Sequence, residues 1–494
     1  MYFLGYDIGS SSIKAAIIDG NTNAQVSVAN YPEKEMAITS LKRGWAEQEP
    51  ALWWENLVLA TKKALEKAGI DLKEIGGIGI AYQMHGLILV DKNQNVLRPS
   101  IIWCDSRAVE IGDHAFDEMG RQECFDHLLN SPGNFTASKL KWVKENEPAL
   151  FSQIHKLMLP GDYIAMKLTG EINTTIPGLS EGMIWDFKAN APSKDLFDHY
   201  GFDLDLVPEI KPTFSVQGEL NAYAAELLGL KKGIPVGYRA GDQPNNAMSL
   251  SVLESGEVAG TGGTSGVVYG VNKSPVYDQQ SRVNSFAHVN YTKETPNVGV
   301  LLCINGSGIQ YRWINQEVAA SGTSYLEMEN MMAGIPIGSD GLRMLPFGNG
   351  AERMLGNKDI GAQIQGIQFN RHSKPHLFRA ALEGIAFSFV YGIEVITSLG
   401  MDINSMRVGN DNLFQSQIFS DTISTLINGK IEIVETTGAI GAARAAGYTT
   451  GHFKSLKEAM SGDKVLKTYE PQNNQDEFKH AYQIWKNDLE RIIK

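Results

Sequence analysis

The sequence predicts an α/β fold in two large domains, and three observations carry that expectation. A chain of 494 residues is too long for one hydrophobic core, and at roughly 150 residues per domain it allows two large domains or three smaller ones. Short apolar strands alternate with helix-period segments from end to end. The second half also begins like the first, with a strand, a tip of small polar residues and a second strand, which makes the two hairpins candidate structural repeats.

The first hairpin runs from Leu4 through Gly9-Ser10-Ser11-Ser12 to the strand Ile13–Asp19. Backbone N–H groups and hydroxyls in such a tip can cradle phosphate oxygens, and Asp7 beside them can hold a hydrated Mg²⁺. An ordinary hairpin turn fits the same residues. Pro50 then opens a helix that reaches Ala68 and stops at Gly69, with Leu52, Leu57, Thr61, Ala64, Leu65 and Ala68 on one stripe, so it covers a sheet.

Ile75–Tyr82 reads as a buried strand that delivers Gln83-Met84-His85-Gly86, with a second strand from Leu87 to Asp91. The apolar run Ile101–Arg107 reads as a strand ending on Trp103, Asp105 and Arg107. Two strands that end in polar clusters suggest one shared pocket; a structural His85 and a core Trp103 are the bland alternatives. Residues 134–147 and 162–170 are predicted helices whose Lys and Glu residues are solvated faces, and Leu179–Met183 with Trp185-Asp186 are read as loop. Ala222–Leu228 is a short helix, and Ile234–Val236 leads into Gly241-Asp242-Gln243. Asp in a Gly-Asp turn is by default a turn residue. Its place after an apolar run and before a helix-like segment is where reacting groups are displayed, so Asp242 is the candidate catalytic base.

The second hairpin is Glu257–Tyr269 with the tip Gly262-Gly263-Thr264-Ser265-Gly266. Two facing hairpins can hold a polyphosphate from opposite sides. Gly-x-x-x-x-Gly-Lys-Ser/Thr and Gly-x-Gly-x-x-Gly are both absent from the sequence, so P-loop and dinucleotide-binding readings lack their fingerprints. Val298–Ile304 is a core strand, and Gly306-Ser307-Gly308-Ile309-Gln310 starts a helix containing Trp313. Residues 345–353 form a loop with the charged pair Glu352 and Arg353, Pro375–Leu399 is the longest helix, and Gln475–Ile493 is a packing helix. The domain boundary is expected within residues 248–256, giving domains 1–250 and 251–494.

Lys and Arg number 44 against 56 Asp and Glu, a net charge of −12, which argues against nucleic acid or an anionic membrane as main partner. Cys104, Cys124 and Cys303 are far apart and in no Cys-x-x-Cys pattern, so neither a disulfide framework nor a zinc cluster is indicated. The N-terminus has no basic segment, and no apolar run approaches the roughly 18 residues that span a bilayer. The chain therefore reads as soluble and cytoplasmic.

Taken together, GYDIGSSSIK, GWAEQEPALWW, YQMHG, IIWCDSR, KLKWVKENEP, DYIAMKLTGE, AGDQPNNA, GTSGVVY, LPFGNGAER, EGIAFS and GAIGAARAAG resemble the FGGY carbohydrate kinases over essentially the whole chain. Gln83-Met84-His85-Gly86 points to the branch that phosphorylates xylulose. The resemblance implies two ribonuclease-H-like domains of the actin and hexokinase type, with a small-molecule sugar mainly on the first and ATP in the cleft between them. It implies transfer of the γ-phosphoryl of ATP to O5 of D-xylulose with Asp242 as base, and leaves other ketopentoses and hexuloses, or a non-catalytic nucleotide switch, as alternatives. Met84, His85, Trp103, Asp105 and Arg107 match the sugar pocket. Ser10, Ser11 and Lys14 match the first phosphate loop and Gly263, Thr264 and Ser265 the second. Gly306, Gln310, Gly409 and Asn410 fall on the nucleotide side, and Asp7 near Mg²⁺; a homodimer is also implied. Gly409-Asn410-Asp411 departs from the consecutive glycines of many relatives, and Ala351-Glu352-Arg353-Met354-Leu355 lacks the proline of the usual Gly-Glu-Arg-x-Pro loop.

Overall fold

Each hairpin sits at the centre of its own sheet in the computed structural model, which describes residues 1–410 and 412–494. The first sheet contains β1 (Tyr2–Ile8), β2 (Ile13–Asp19), β3 (Ala24–Tyr31), β4 (Ile75–Tyr82) and β5 (Val236–Gly241), in the order β5-β4-β1-β2-β3. The second contains β6 (Val258–Gly262), β7 (Gly266–Asn272), β8 (Asn284–Ala287), β9 (Val298–Ile304), β10 (Ser405–Gly409), β11 (Lys430–Val434) and β12 (Val465–Tyr469), in the order β8-β9-β7-β6-β10-β11-β12. In each, three antiparallel strands that include the hairpin are extended by two parallel strands beside the hairpin's first strand. The run β9-β7-β6-β10-β11 therefore repeats β3-β2-β1-β4-β5 in order and direction.

The helices that matter to the site are α1 (Pro50–Ala68), α2 (Thr136–Asn146), α3 (Pro160–Thr169), α4 (Ile176–Glu181), α5 (Asp242–Ser249), α6 (Gly308–Trp313), α7 (Lys374–Ser398), α8 (Gly438–Thr449) and α9 (Gln475–Ile493). Helix α1 has Pro50 in its first turn and ends at Gly69 with φ 60°, a left-handed cap that glycine adopts freely. Its buried residues Trp53, Leu57, Ala60 and Ala64 join the first core with Leu4, Ile17 and Ile78.

Helix α8 comes from the second half of the chain yet lies on the first sheet. A side chain at Gly5 would meet the Ala439 carbonyl oxygen at 1.9 Å, and one at Gly79 the Ala442 oxygen at 1.9 Å. Glycine at both positions is what lets the helix seat this closely.

Several expectations are corrected by the fold. Residues 179–181 are not loop but the end of α4, capped by Thr175, whose hydroxyl accepts from the Gly178 N–H at 3.3 Å. The strand expected at Ile101–Arg107 stops after Ser100–Ile101, because the Asp105 carboxylate accepts the Arg107 N–H at 2.8 Å and turns the chain. Helix α7 is long and apolar enough to cross a membrane, with a mean hydropathy of 1.5, but 83% of that window is buried in the second core. Glu352 and Arg353 do not pair with each other; the Glu352 carboxylate takes the main-chain N–H groups of Asn305 and Gly306 at 3.0 and 2.9 Å.

Candidate active site

The ends of β1, β4 and β5 form one edge, because these neighbouring strands are parallel and in register at Ile8, Tyr82 and Gly241. Ligands in open α/β sheets bind beyond the carboxyl ends of such strands. Beyond these three stand the first hairpin tip, the Gln83-Met84-His85 turn and Asp242.

Asp242 is the first residue of α5 and is half-buried. Desolvation pushes its carboxyl up to about 7, helped by the like charge of Asp7 and opposed by hydrogen bonds from Gln243 and by Lys14. Lys14 Nζ is 3.7 Å from Asp7 Oδ2. The Asp7 carboxylate also lies against the start of α8, 3.2 Å from where a Gly438 side chain would begin.

His85 occupies a left-handed backbone conformation, φ 63°, which costs a non-glycine residue about 1 kcal/mol or more. Two partners hold it there. Its Nδ1 lies 2.9 Å from the Glu181 main-chain oxygen, and its own carbonyl accepts from Lys139 Nζ at 2.8 Å. Burial, then the Lys139 charge, pushes the imidazole down to about 3, so the ring is neutral. It packs edge-on to Phe135 and tilted against Phe286 of the second half, at 4.8 and 5.4 Å between centroids.

Lys139, expected on a solvated face, is wholly buried and also donates to the Ile102 carbonyl at 3.0 Å; burial drives its ammonium down to about 7. Its signal was its place on the stripe with Thr136, Leu140 and Val143, all buried. Met84 is buried beside His85, and Trp103 is 53% exposed with its indole N–H donating to Ser10 Oγ at 3.2 Å. Asp105 is placed differently from the expectation. Its side chain is buried and its oxygens take the Ala46 N–H at 2.6 Å and the guanidinium of Arg107 at 2.7–3.0 Å. Arg107 is stacked between Trp45 and Trp142 at 3.9 and 4.7 Å, so this pair braces the pocket wall and does not line it.

The second hairpin tip meets the glycine cluster at the end of β9. The Ile309 N–H donates to the Thr264 oxygen at 3.0 Å, and a side chain at Gly308 would strike the Gly263 oxygen at 2.1 Å. Ser307 Oγ and Gln310 Oε1 are buried with no hydrogen-bond partner among the described residues, which is the kind of orphan that a bound ligand satisfies. A depression of about 300 Å³ beside them is lined by Ile309, Gln310, Trp313, Pro346, Gly348 and Ala362. Gly409 ends β10 with open space where a side chain would be, and Asn410 Oδ1 accepts from Gln415 at 3.0 Å. Asp411 lies outside the described residues.

Residues 2–249 match the N-terminal domain, and residues 258–450 the C-terminal domain, of the FGGY family of carbohydrate kinases. The chain belongs to that family. This FGGY kinase is 28% identical to a xylulose kinase of Bacillus subtilis (strain 168), over 98% of this chain and 96% of the relative. It superposes with TM-score 0.90 on a solved xyloylose kinase from Brucella ovis at 25% identity, covering 100% of this chain and 99% of that one. A gluconate kinase from Lactobacillus acidophilus has the same TM-score, 0.90, at 21% identity, covering 100% and 98%, so the shared fold leaves the acceptor open. The FGGY kinase is an ATP-dependent sugar phosphotransferase built on two repeated α/β domains.

Proposed function

We propose that this FGGY kinase transfers the γ-phosphoryl of ATP to O5 of D-xylulose, giving D-xylulose 5-phosphate, with Asp242 as the general base. One observation carries the role of Asp242: its carboxyl stands at the end of β5, beside the end of β4 that carries the Met84-His85 turn, with Asp7 on β1 one strand further on. The names of the curated relatives support xylulose as acceptor.

Phosphoryl transfer passes through a loose, in-line transition state, so holding the acceptor oxygen in place matters more than activating it. A carboxyl raised to about 7 is basic enough to accept the hydroxyl proton near neutrality. The neutral His85 offers Nε2 as an acceptor to another sugar hydroxyl, and Met84 and Trp103 supply apolar walls. We assign Ser10, Ser11, Lys14, Gly263, Thr264 and Ser265 to the phosphates of ATP, and Gly306, Gln310, Gly409 and Asn410 to its nucleoside. The orphaned Ser307 and Gln310 oxygens support that placement.

Asp7 would hold Mg²⁺. Its carboxylate offers the hard oxygen donor that this ion prefers, and bound there the ion would neutralise phosphate charge, leaving Asp242 to the sugar hydroxyl. The first domain, residues 1–250, then carries the acceptor and the base, and residues 251–494 carry the nucleotide.

The test is ADP release with D-xylulose, D-ribulose, D-fructose and D-gluconate, with the product identified by phosphorus NMR. D-xylulose should give the highest kcat/KM and a 5-phosphate. A faster alternative acceptor would replace xylulose in this reading, and sugar-independent ADP release would end it.

A further inference from the structure

We propose that Glu181 is a positioning residue of the acceptor site, wedged so as to hold the Met84-His85 turn against the strand end that presents Asp242. This rests on the assignment of Asp242 as base.

A side chain at Gly241, directly before Asp242, would begin 2.7 Å from Glu181 Oε2 and 2.6 Å from Met84 Cγ, so the carboxyl and the thioether together fill the space over that residue. The main-chain oxygen of Glu181 takes the His85 Nδ1–H at 2.9 Å. One residue earlier, Ser180 Oγ accepts the N–H of Ala287, on β8 of the second half, at 2.9 Å. The last turn of α4 therefore touches both acceptor-site turns and the opposite domain.

The Glu181 carboxyl is 1% exposed, and neither oxygen has a hydrogen-bond partner among the described residues. The Tyr82 hydroxyl lies beside it without the alignment of a full bond and is tucked 3.1 Å from where a Gly178 side chain would begin. Burial raises the Glu181 carboxyl well above its usual range; the Tyr82 hydroxyl opposes this, the like charges of Asp242 and Asp162 add to it, and Lys139 opposes it. Two carboxyls at one buried strand end do not both ionise, and the more buried one keeps its proton. Asp242 is left as the group that titrates.

The test uses Glu181→Ala and Glu181→Gln in the full-length enzyme, with kcat, KM for the best ketose and the pH profile of kcat/KM. Removing the wedge lets Asp242 drift and admits water beside it. Glu181→Ala should therefore lose about 10- to 100-fold in kcat and move the acid limb to lower pH. Glu181→Gln, of the same shape and uncharged, should recover kcat/KM to within about threefold of wild type with the limb restored. Wild-type kcat and limb in Glu181→Ala would overturn the proposal, as would Glu181→Gln as impaired as Glu181→Ala. Asp242→Asn, run alongside, separates a failure of this inference from a failure of the Asp242 assignment.

Discussion

The Nδ1 atom of His85 lies 2.9 Å from the main-chain oxygen of Glu181. A carbonyl only accepts, so Nδ1 carries the proton and Nε2 is left as an acceptor. With the ring pushed down to about 3, His85 binds and does not move protons near neutrality. The acid limb of kcat/KM should show one midpoint near 7, the value of Asp242, with activity falling about tenfold per pH unit below it. His85→Asn, measured across the same pH range, should raise the sugar KM about tenfold and leave that midpoint in place.

Asp242 also affects stability, with a sign opposite to that of a salt-bridged carboxylate. Its folded value is raised from 3.8 to about 7, so the folded state keeps a proton that the unfolded state releases first. Stability from this group is full below about pH 4 and is lost as pH rises through about 7. Asp242→Asn should therefore be more stable than wild type by up to about 4 kcal/mol at about pH 8 and equal to it at about pH 4, as read by denaturant unfolding at the two pH values.

Gly241→Ala tests how tightly the acceptor site is packed. Gly241 has φ −57°, which any residue adopts, so only the collision with Met84 Cγ and Glu181 Oε2 at 2.6 and 2.7 Å opposes the methyl group. Overpacking of this kind costs about 1–3 kcal/mol, and turnover should fall about 100-fold because both displaced groups border the acceptor. Melting temperature and kcat together check it.

Much of the fold is legible in the residues because it rests on local rules. Helix α1 begins at Pro50 and ends at Gly69, and the two hairpins announce themselves by β-branched strands around Gly, Ser and Thr tips. Asp7, His85 and Asp242 stand at strand ends, where their neighbours in sequence already place them. Lys139, Glu181 and Glu352 escaped because their roles are made by tertiary contact: Lys139 meets the carbonyl of His85, Glu181 packs over Gly241, and Glu352 clamps Asn305 and Gly306. Helix α4 was hidden by its shortness and by Pro177, Gly178 and Gly182, which read as turn. Helix α8 shows the limit most clearly, since nothing local says that residues 438–449 cover the first sheet.

Glu352 should matter to the nucleotide. Its carboxylate receives both the Asn305 and Gly306 N–H groups and so shapes the turn before Gln310. Glu352→Ala leaves those donors unpaired at about 1–3 kcal/mol and should raise the KM for ATP about tenfold or more while the sugar KM changes little. Glu352→Gln, which keeps one acceptor, should fall between; steady-state titrations of each substrate decide it.

The central claim is that Asp242 takes the proton of the sugar hydroxyl. Its most direct test is single-turnover phosphorylation of D-xylulose by Asp242→Asn with saturating Mg·ATP. A positioned general base contributes about 10²- to 10⁴-fold, so the rate should fall by that factor while sugar binding, followed by quenching of the exposed Trp103, persists. A single-turnover rate within a few-fold of wild type would contradict the account.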